Sequence, residues 1–419
     1  MKLAIISDTH FGDDNCLLVT KQNSDVALGA KYKEFADAVG KDNDYLVLAG
    51  DVFDFSITSY ENAYKCGKTF LQQIRNDGIA KEIIYLAGNH DADIWHMVQN
   101  QKSVINRLNN NKLPESYQHS VAGIIEDRTA LPQDKRGLIL NQIAEKADAD
   151  GSKYGGMFLD NITNPPTTFN FAYPNLYIVT DRETVLVTHG HYFDLYWAIL
   201  GETAMKLAKD ELKVGEPDVE KMVQMNFPLS QLACTGIGQA GVLTHVIRQV
   251  QSEVVNGDLK KVGKYLDRLE AEIGSFAKFG GAKEMMVNLI IGQTKKRFLE
   301  AIGGVEQARY SEAFIYKKEV KDRFRRFYRA SLLEIEGINA RTGLNIPSPW
   351  RIIFGHTHQP ISWENPHPPE LDSESASMPK RLVLSNTGGW IAEKGTFCGA
   401  EIFIYETGRG FGSVPVRPV

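Results

Sequence analysis

The stretch Leu3-Ala4-Ile5-Ile6-Ser7-Asp8-Thr9-His10 contains the pattern that decides the fold, a short aliphatic run followed at once by acidic and imidazole side chains. Such a run is typical of a strand that is buried on both faces. The same pattern recurs along the chain. Four more clusters follow β-branched or aliphatic runs, namely Gly50-Asp51, Gly88-Asn89-His90-Asp91, His189-Gly190-His191 and Gly355-His356-Thr357-His358.

The segments between the first three clusters predict alternating strands and helices. Residues 32–39 and 63–76 have helical spacing, and they separate the apolar runs at 3–6, 45–49 and 83–87. This order predicts right-handed βαβ units and a largely parallel sheet, hence an α/β fold. Polar residues just past the carboxyl ends of such strands gather at one edge of the sheet. We therefore expect one shared site that contains Asp8, His10, Asp51, Asn89 and His90.

The side chains of the five clusters are the kind that bind divalent transition metals. Asp8 and His10 are two residues apart, so in an extended segment their side chains share a face. The carboxylate of Asp51 has two oxygens and can bridge two cations. Mixed nitrogen and oxygen ligands accept Mn, Fe or Zn, so the metal identity stays open. The candidate ligands are Asp8, His10, Asp51, Asn89, His189, His356 and His358.

Taken in order, the clusters resemble the five blocks of the calcineurin-like metallophosphoesterase superfamily: DxH, GDxxD, GNHD/E, a histidine block and GHxH. The resemblance covers roughly residues 1–194 and 346–419. It implies a double β-sheet sandwich flanked by helices. It also implies hydrolysis of a phosphate ester or pyrophosphate by a metal-activated hydroxide.

The resemblance further implies a role for each residue of the blocks. His90 would be the general acid or a phosphate-contacting histidine, and Asp91 would orient its ring. Two divalent metal ions would share Asp51, the first held by Asp8, His10, Asp51 and His358 and the second by Asp51, Asn89, His189 and His356.

Two segments interrupt the core that the blocks define. Residues 113–170 are rich in Asn, Pro and Gly, and they predict a peripheral insertion with a short helix near 138–144. Residues 195–345 contain apolar side chains at helical spacing, at 262–276 and 320–335, and predict a helical insertion. Because this insertion lies between two metal-bearing strands, we expect a cap over the site. Residues 364–380 predict a polar loop.

Several residues outside the metal set are candidates for substrate contacts. The segment 317–329 is basic on one face, so it is either a solvated helix face or a stripe facing a phosphate-bearing partner. In the second case Arg325, Arg326 and Arg329 would bind a substrate phosphate. His191 is either a substrate contact or a histidine at the rim. Asp54 either orients a ligand histidine or caps a turn.

Composition narrows the classes of function and the location. The net charge is 47 minus 52, or −5, so the chain has no overall positive field that would favour nucleic acid. Four dispersed cysteines fit a reducing compartment. Neither a signal peptide nor an apolar run of membrane-spanning length is evident. We therefore expect a cytoplasmic enzyme, whose oligomeric state is left open.

The substrate remains open between several alternatives. A compact pocket under a cap favours a small or amphiphilic phosphate ester or pyrophosphate. The second and third blocks also resemble DNA-repair exonucleases, and a scaffold without catalysis is a third possibility. The segment Asn386-Thr387-Gly388-Gly389-Trp390 resembles the branch of UDP-2,3-diacylglucosamine hydrolase, although this chain has His90 where that hydrolase has arginine.

Overall fold

A computed structural model describes residues 1–22, 25–140, 158–159, 161–207, 218–241, 312–372, 381–393 and 395–418, together with Lys264 and Asp267. Its strands are numbered here in chain order. They are β1 (Lys2–Ile6), β2 (Val19–Gln22), β3 (Asp25–Leu28), β4 (Asn43–Ala49), β5 (Ala80–Leu86), β6 (Gly123–Asp127), β7 (Gly137–Leu140), β8 (Thr168–Ala172), β9 (Asn175–Thr180), β10 (Thr184–Thr188), β11 (Arg351–Phe354), β12 (Glu370–Asp372), β13 (Arg381–Asn386), β14 (Ala392–Glu393), β15 (Thr396–Phe397), β16 (Ala400–Glu406) and β17 (Gly410–Val416).

Two mixed sheets form the centre of the fold. The first has six strands in the order β17-β16-β1-β4-β5-β8, and β1, β4, β5 and β8 run parallel. The second has seven strands in the order β12-β13-β11-β10-β9-β6-β7, with β10, β11 and β13 parallel. The strands that lead into the five clusters are therefore parallel to one another within each sheet, β1 with β4 and β5 and β10 with β11, and their carboxyl ends share an edge.

The two sheets pack against each other through one face of each. Alternate residues of a strand point to opposite faces, and β1 follows this rule: Leu3 and Ile5 belong to a cluster that also contains residues of β9, β10 and β11. Ala4 and Ile6 face the other way, into the layer formed with the helices. The predicted double-sheet sandwich flanked by helices is confirmed.

Six helices of eight or more residues lie among the described residues. They are α1 (Tyr32–Val39), α2 (Tyr60–Asn76), α3 (Ala92–Asn100), α4 (Leu195–Leu207), α5 (Val219–Gln231) and α6 (Lys318–Thr342). Short helical turns occur at Gln101–Asn106, Arg107–Asn109, Gln133–Lys135, His191–Phe193, Leu232–Ile237 and Glu312–Phe314.

The helices predicted in the first hundred residues are present. Helix α1 has the predicted bounds. Helix α2 begins three residues before its predicted start, because the Ser59 hydroxyl accepts a hydrogen bond from the Asn62 amide and caps the helix. The apolar residues predicted to line one face of the helix over 320–335 are buried in α6, so that stripe belongs to the core.

Three predictions about the irregular segments are wrong where the structure describes them. Residues 137–140 form β7, which pairs antiparallel with β6, and residues 141–144 of the expected helix lie outside the described residues. Strand β6 is fully buried in the second sheet, so the segment 113–170 is not wholly peripheral. The expected polar loop at 364–380 contains β12. In each case strand pairing overrides a weak local pattern.

The described parts of the segment 195–345 are helical. They comprise α4, α5, α6 and two of the short turns, Leu232–Ile237 and Glu312–Phe314. The apolar repeat at 262–276 lies outside the described residues, so the extent of the helical insertion and the domain boundaries stay predictions.

Across the ranges described above, no helix combines the length and the apolar composition that a membrane span requires.

Two glycines leave room for the acidic side chains at the shared edge of the sheets. A Cβ atom on Gly355 would overlap the Asp8 Oδ2 atom and the Ser7 hydroxyl, and one on Gly88 would overlap the Asp51 Oδ1 atom. Moving the Asp8 side chain would cost hydrogen-bond energy, because both of its carboxylate oxygens accept from the His356 amide. A residue larger than glycine at position 355 must therefore displace a pinned carboxylate.

Gly355→Ala should lower the free energy of unfolding of the metal-free protein by about 1–3 kcal/mol, the usual cost of overpacking. Urea unfolding monitored by circular dichroism measures this. Gly337→Ala in α6 is the matched control, since its Cβ would meet only the flexible end of Arg341 at 3.3 Å. That control should be neutral or stabilising by up to about 1 kcal/mol. Equal unfolding midpoints for Gly355→Ala and the parent protein would contradict the packing argument.

Candidate metal centre

Five loops, each following a strand, bring the predicted ligands together. Strands β1, β4 and β5 of the first sheet and β10 and β11 of the second end just before these loops. All seven candidate ligands are buried: Asp8, His10, Asp51, Asn89, His189, His356 and His358. Three groups among the described residues have the spacing to hold an ion, and two of them consist of predicted ligands alone, Asp8 with His10 and His358 and Asp51 with His189 and His356.

The backbone of these loops adopts a conformation that side chains other than glycine rarely take. Positive φ angles of 46–67° occur at Asp8, His10, Asp51, His356 and His358. Each such residue costs about 1–3 kcal/mol unless the surroundings enforce it. Here they do: the Asp8 amide donates to the Gly50 carbonyl at 3.0 Å, and the His10 amide donates to the Asp51 carbonyl at 2.9 Å. Strain of this kind concentrates at functional sites.

In the first group, two imidazoles and a carboxylate point lone pairs at one another. The Nε2 atoms of His10 and His358 lie 3.2 Å apart, and His358 Nε2 lies 3.2 Å from Asp8 Oδ1. The Nδ1 atom of His10 lies 2.8 Å from Asp54 Oδ2, and that of His358 contacts Glu393. When each Nδ1–H donates to its carboxylate, both Nε2 lone pairs face the Asp8 oxygen. A cation placed among these lone pairs would stabilise the arrangement.

The second group has the same character. The His189 Nδ1 atom lies 3.1 Å from the Ala49 carbonyl oxygen, so Nδ1–H can donate to it. The Nε2 lone pair then faces Asp51 Oδ2 at 3.0 Å and Asn89 Oδ1 at 3.1 Å. The Asn89 Nδ2 atom is buried and has no hydrogen-bond partner among the described residues. Its amide oxygen therefore points towards the imidazole, as an oxygen ligand would.

Asp51 lies between the two groups. Its Oδ2 atom is 3.0 Å from His189 Nε2 and 3.9 Å from His10 Nε2. Its Oδ1 atom accepts from the His90 amide at 2.7 Å, which anchors the carboxylate to the loop after β5. One carboxylate thus contacts both sets of imidazoles.

The electrostatics of the site also favour a positive charge. Burial lowers the pKa of His189, but Asp51, Asp8 and Asp91 together outweigh burial and raise it to about 9. Burial likewise lowers the pKa of His10, and hydrogen bonds to Asp54 and Asp8 raise it well above its usual value. A site that binds protons this strongly is negative without them. The donor set and its charge therefore fit divalent cations.

His90 is the histidine of this cluster that solvent reaches most readily. Its side chain is 18% exposed, compared with 3% for His10. The Nδ1 atom of His90 contacts the Ser56 hydroxyl at 2.7 Å and Asp54 Oδ1 at 3.0 Å. Asp54 also contacts His10 and accepts from the Ser56 amide at 3.2 Å. It therefore makes both of the predicted contacts, one to a histidine and one to the turn that follows it, while the role of His10 as a metal ligand stays a prediction.

The predicted role of Asp91 in orienting His90 is wrong. Asp91 accepts from the backbone amides of Gly88 at 2.6 Å and Val52 at 2.8 Å, and from the Tyr85 hydroxyl. The Asp91 carboxylate, three residues after Gly88, points back towards the loop amides, and the carboxylate that contacts the His90 ring is that of Asp54. Burial and the charge of Asp51 raise the pKa of Asp91 to about 6. Asp91 therefore joins the loops after β4 and β5 and is not placed to act on substrate.

His191 is fully buried and not a histidine at the rim. Its ring packs against that of Tyr192 at an interplanar angle of 38°, with centroids 3.9 Å apart, and lies 5.5 Å from the His189 ring. Burial and the charge of His189 lower its pKa well below the usual value, so it is neutral. A contact with substrate stays a prediction.

The predicted basic residues of α6 lie among acidic partners. Arg325 pairs with Asp322 at 2.9 Å, and Arg326 pairs with Glu202 at 3.3 Å. Arg329 is half-buried. The most deeply buried arginine of this helix is Arg323, which pairs with Glu202 at 2.5 Å and which the sequence analysis did not select. The role of the three predicted arginines stays open.

Some of the residues that support the site are not indicated by any pattern in the sequence. Glu393 and Asp194 contact the imidazoles of His358 and His356, and no spacing in the sequence links those pairs. Asn386 Nδ2 donates to the Gly355 carbonyl at 2.8 Å, and the Thr387 hydroxyl contacts that of Ser7 at 2.5 Å. Asn386 and Thr387 belong to the segment 386–390, for which the sequence shows a resemblance to a known branch of the superfamily.

Comparison with known proteins agrees with this geometry. The chain matches the calcineurin-like phosphoesterase family over residues 1–224, which is more than half of its length. No curated protein gives a significant match. The matched part contains the first four clusters, and the fifth lies beyond it. The chain therefore belongs to the calcineurin-like phosphoesterase family, and it is a metal-dependent phosphoric ester hydrolase.

Proposed function

We propose that the protein binds two divalent metal ions and hydrolyses a small or amphiphilic phosphate ester or pyrophosphate. The observation that carries this proposal is the position of Asp51 between two groups of converging lone pairs. The residues that would hold the first ion are Asp8, His10, Asp51 and His358, and those that would hold the second are Asp51, Asn89, His189 and His356.

When bound, two such ions supply an activated water nucleophile and neutralise charge on the phosphoryl oxygens. The protein itself has two roles, to hold the metal ligands in position and to transfer a proton. His90 is placed for the second task, because Asp54 and Ser56 hold its Nδ1 atom and its side chain is partly exposed. An imidazole held in this way can protonate the leaving oxygen from its other nitrogen.

Contacts from the segment 195–345 support a cap beside the site. The Trp197 ring of α4 meets the His90 ring edge-on, with centroids 5.7 Å apart. The Cys234 thiol donates to the His90 carbonyl at 3.2 Å and to the Asn89 carbonyl at 3.3 Å. Helical residues therefore touch the loop that contains His90. A wall of this kind favours a compact substrate with an apolar part over a long polymer.

The resemblance to the UDP-2,3-diacylglucosamine hydrolase branch is weaker support for a lipid substrate. The Trp390 amide donates to the Asp8 carbonyl at 2.9 Å, and Gly389 packs against the His358 ring. The segment that resembles that hydrolase thus helps to shape the loops of the metal site. Hydrolysis of any phosphate ester would need those loops, so the resemblance does not single out a lipid. The predicted cytoplasmic location is supported only by the four cysteines, which form no disulfide with one another.

A substrate panel tests the proposal. With Mn²⁺ we expect turnover of p-nitrophenyl phosphate, its bis-ester or a nucleotide pyrophosphate, loss of turnover with a chelator, and little action on single-stranded DNA. A glycerol phosphate with and without one acyl chain forms a matched pair for the amphiphilic class. Preference for DNA over every small ester would overturn the substrate proposal in favour of the exonuclease alternative.

His90→Ala should lower turnover about 10²- to 10⁴-fold on an ester with a poor leaving group while both metals remain bound. The loss should be smaller with p-nitrophenol as the leaving group, because that group needs little protonation. Metal content by mass spectrometry and kcat on both esters are the measurements. The matched control is His367→Ala, which replaces an exposed histidine. An equal loss on both esters would assign His90 to binding phosphate.

A further inference from the structure

We propose that Asp194 is a positioning residue for the second metal, because it holds the His356 imidazole with one carboxylate oxygen. This inference rests on the proposed function, since it concerns one of the two ions. Asp194 is only 1% exposed, and its Oδ2 atom lies 3.4 Å from His356 Nε2. An imidazole that donates from Nε2 to Asp194 offers its other nitrogen, Nδ1, to a metal.

The three other candidate ligand histidines share this arrangement. The ring nitrogen that faces away from each group contacts an oxygen: Asp54 for His10, Glu393 for His358 and the Ala49 carbonyl for His189. Such partners select the tautomer of a metal-binding imidazole and raise its basicity. Asp194 supplies the corresponding oxygen for His356. It thereby completes the set for all four rings.

Asp194 also has a second task, which any test must separate from the first. It lies between the turn His191–Phe193 and helix α4, and its Oδ1 atom accepts from the Tyr196 amide at 2.9 Å. This is the contact of a helix N-cap. One carboxylate thus caps α4 and faces a metal ligand, so the start of that helix is tied to the site.

Helix α6 secures the short segment that contains Asp194. The Phe193 and Phe324 rings stack with centroids 3.6 Å apart, and those of Tyr192 and Phe327 stack at 5.0 Å. Burial lowers the pKa of Arg323 and outweighs the charges of Glu202 and Asp194, which raise it. The buried guanidinium and the Asp194 carboxylate therefore attract each other.

Two substitutions separate the contact with His356 from the helix cap. Serine and asparagine cap helices about as well as aspartate. The hydroxyl of Asp194→Ser is too short to serve both partners, and Asp194→Asn has one oxygen where aspartate has two. Both variants keep the cap and lose the carboxylate at His356. Thermal unfolding of the metal-free forms checks that the fold is retained.

The measurement is Mn²⁺ affinity, read from the signal of free Mn²⁺ in electron paramagnetic resonance. His358→Ala leaves the second site as the stronger one, and His189→Ala leaves the first. Adding Asp194→Ser to His358→Ala should weaken Mn²⁺ binding about 10- to 100-fold. Adding it to His189→Ala should change binding by less than about twofold. Glu393→Ala is the reciprocal control, since it should weaken only the site that His189→Ala leaves.

The outcomes distinguish this inference from the function on which it rests. If the parent protein binds fewer than two Mn²⁺ ions, the proposal of a dinuclear site fails. If the parent protein binds two and Asp194→Ser and Asp194→Asn leave the affinity in the His358→Ala background unchanged, Asp194 serves only as a helix cap. Equal weakening in both backgrounds would also overturn the inference, because it would indicate a general effect on the fold.

Discussion

The interaction on which the site depends is the contact of one buried carboxylate, Asp51, with imidazoles from both sheets. His10 follows a strand of the first sheet and His189 a strand of the second, and Asp51 Oδ2 lies within 3.9 Å of a nitrogen of each. Without a cation, these groups would direct lone pairs at one another in a site that water hardly reaches. That cost is several kcal/mol for buried charges and unpaired polar atoms. A bound metal turns the same contacts into ligands.

The rest of the fold keeps this unfavourable arrangement in place. The apolar layer between the sheets fixes the ends of β1, β4, β5, β10 and β11 relative to one another. Hydrogen bonds between successive loops then enforce the strained backbone at Asp8, Asp51 and His356. Glycines beside the carboxylates leave the space that these side chains occupy. Asp91 holds the loop that contains His90 by accepting a hydrogen bond from the Gly88 amide. The Cys234 thiol, in a helical turn, donates to the His90 carbonyl of the same loop.

The sequence predicts those parts of this arrangement that are local. Each candidate ligand lies within a few residues of the end of one of five strands, so the strand pattern and the cluster order suffice to predict that they come together. The predicted role of Asp91 is wrong because its carboxylate accepts from backbone amides of its own loop and of the loop after β4, and no sequence pattern identifies such contacts. Glu393 and Asp194 were missed for a related reason: each meets its histidine only through tertiary packing. Strands β6 and β7 were not predicted because both have short patterns and because β6, which joins them to the sheet, pairs with the distant strand β9.

Metal content after substitution of the shared carboxylate tests the central claim most directly. Asp51→Asn keeps the shape of the side chain but removes its charge and much of its ability to bridge, so both ions should be bound more weakly. Asp8→Asn should weaken one ion and largely spare the other. Equilibrium dialysis against Mn²⁺ with elemental analysis measures both variants beside the parent protein. Loss of both ions in Asp51→Asn and of one in Asp8→Asn is the result that this account predicts. Two fully retained ions in Asp51→Asn would contradict it.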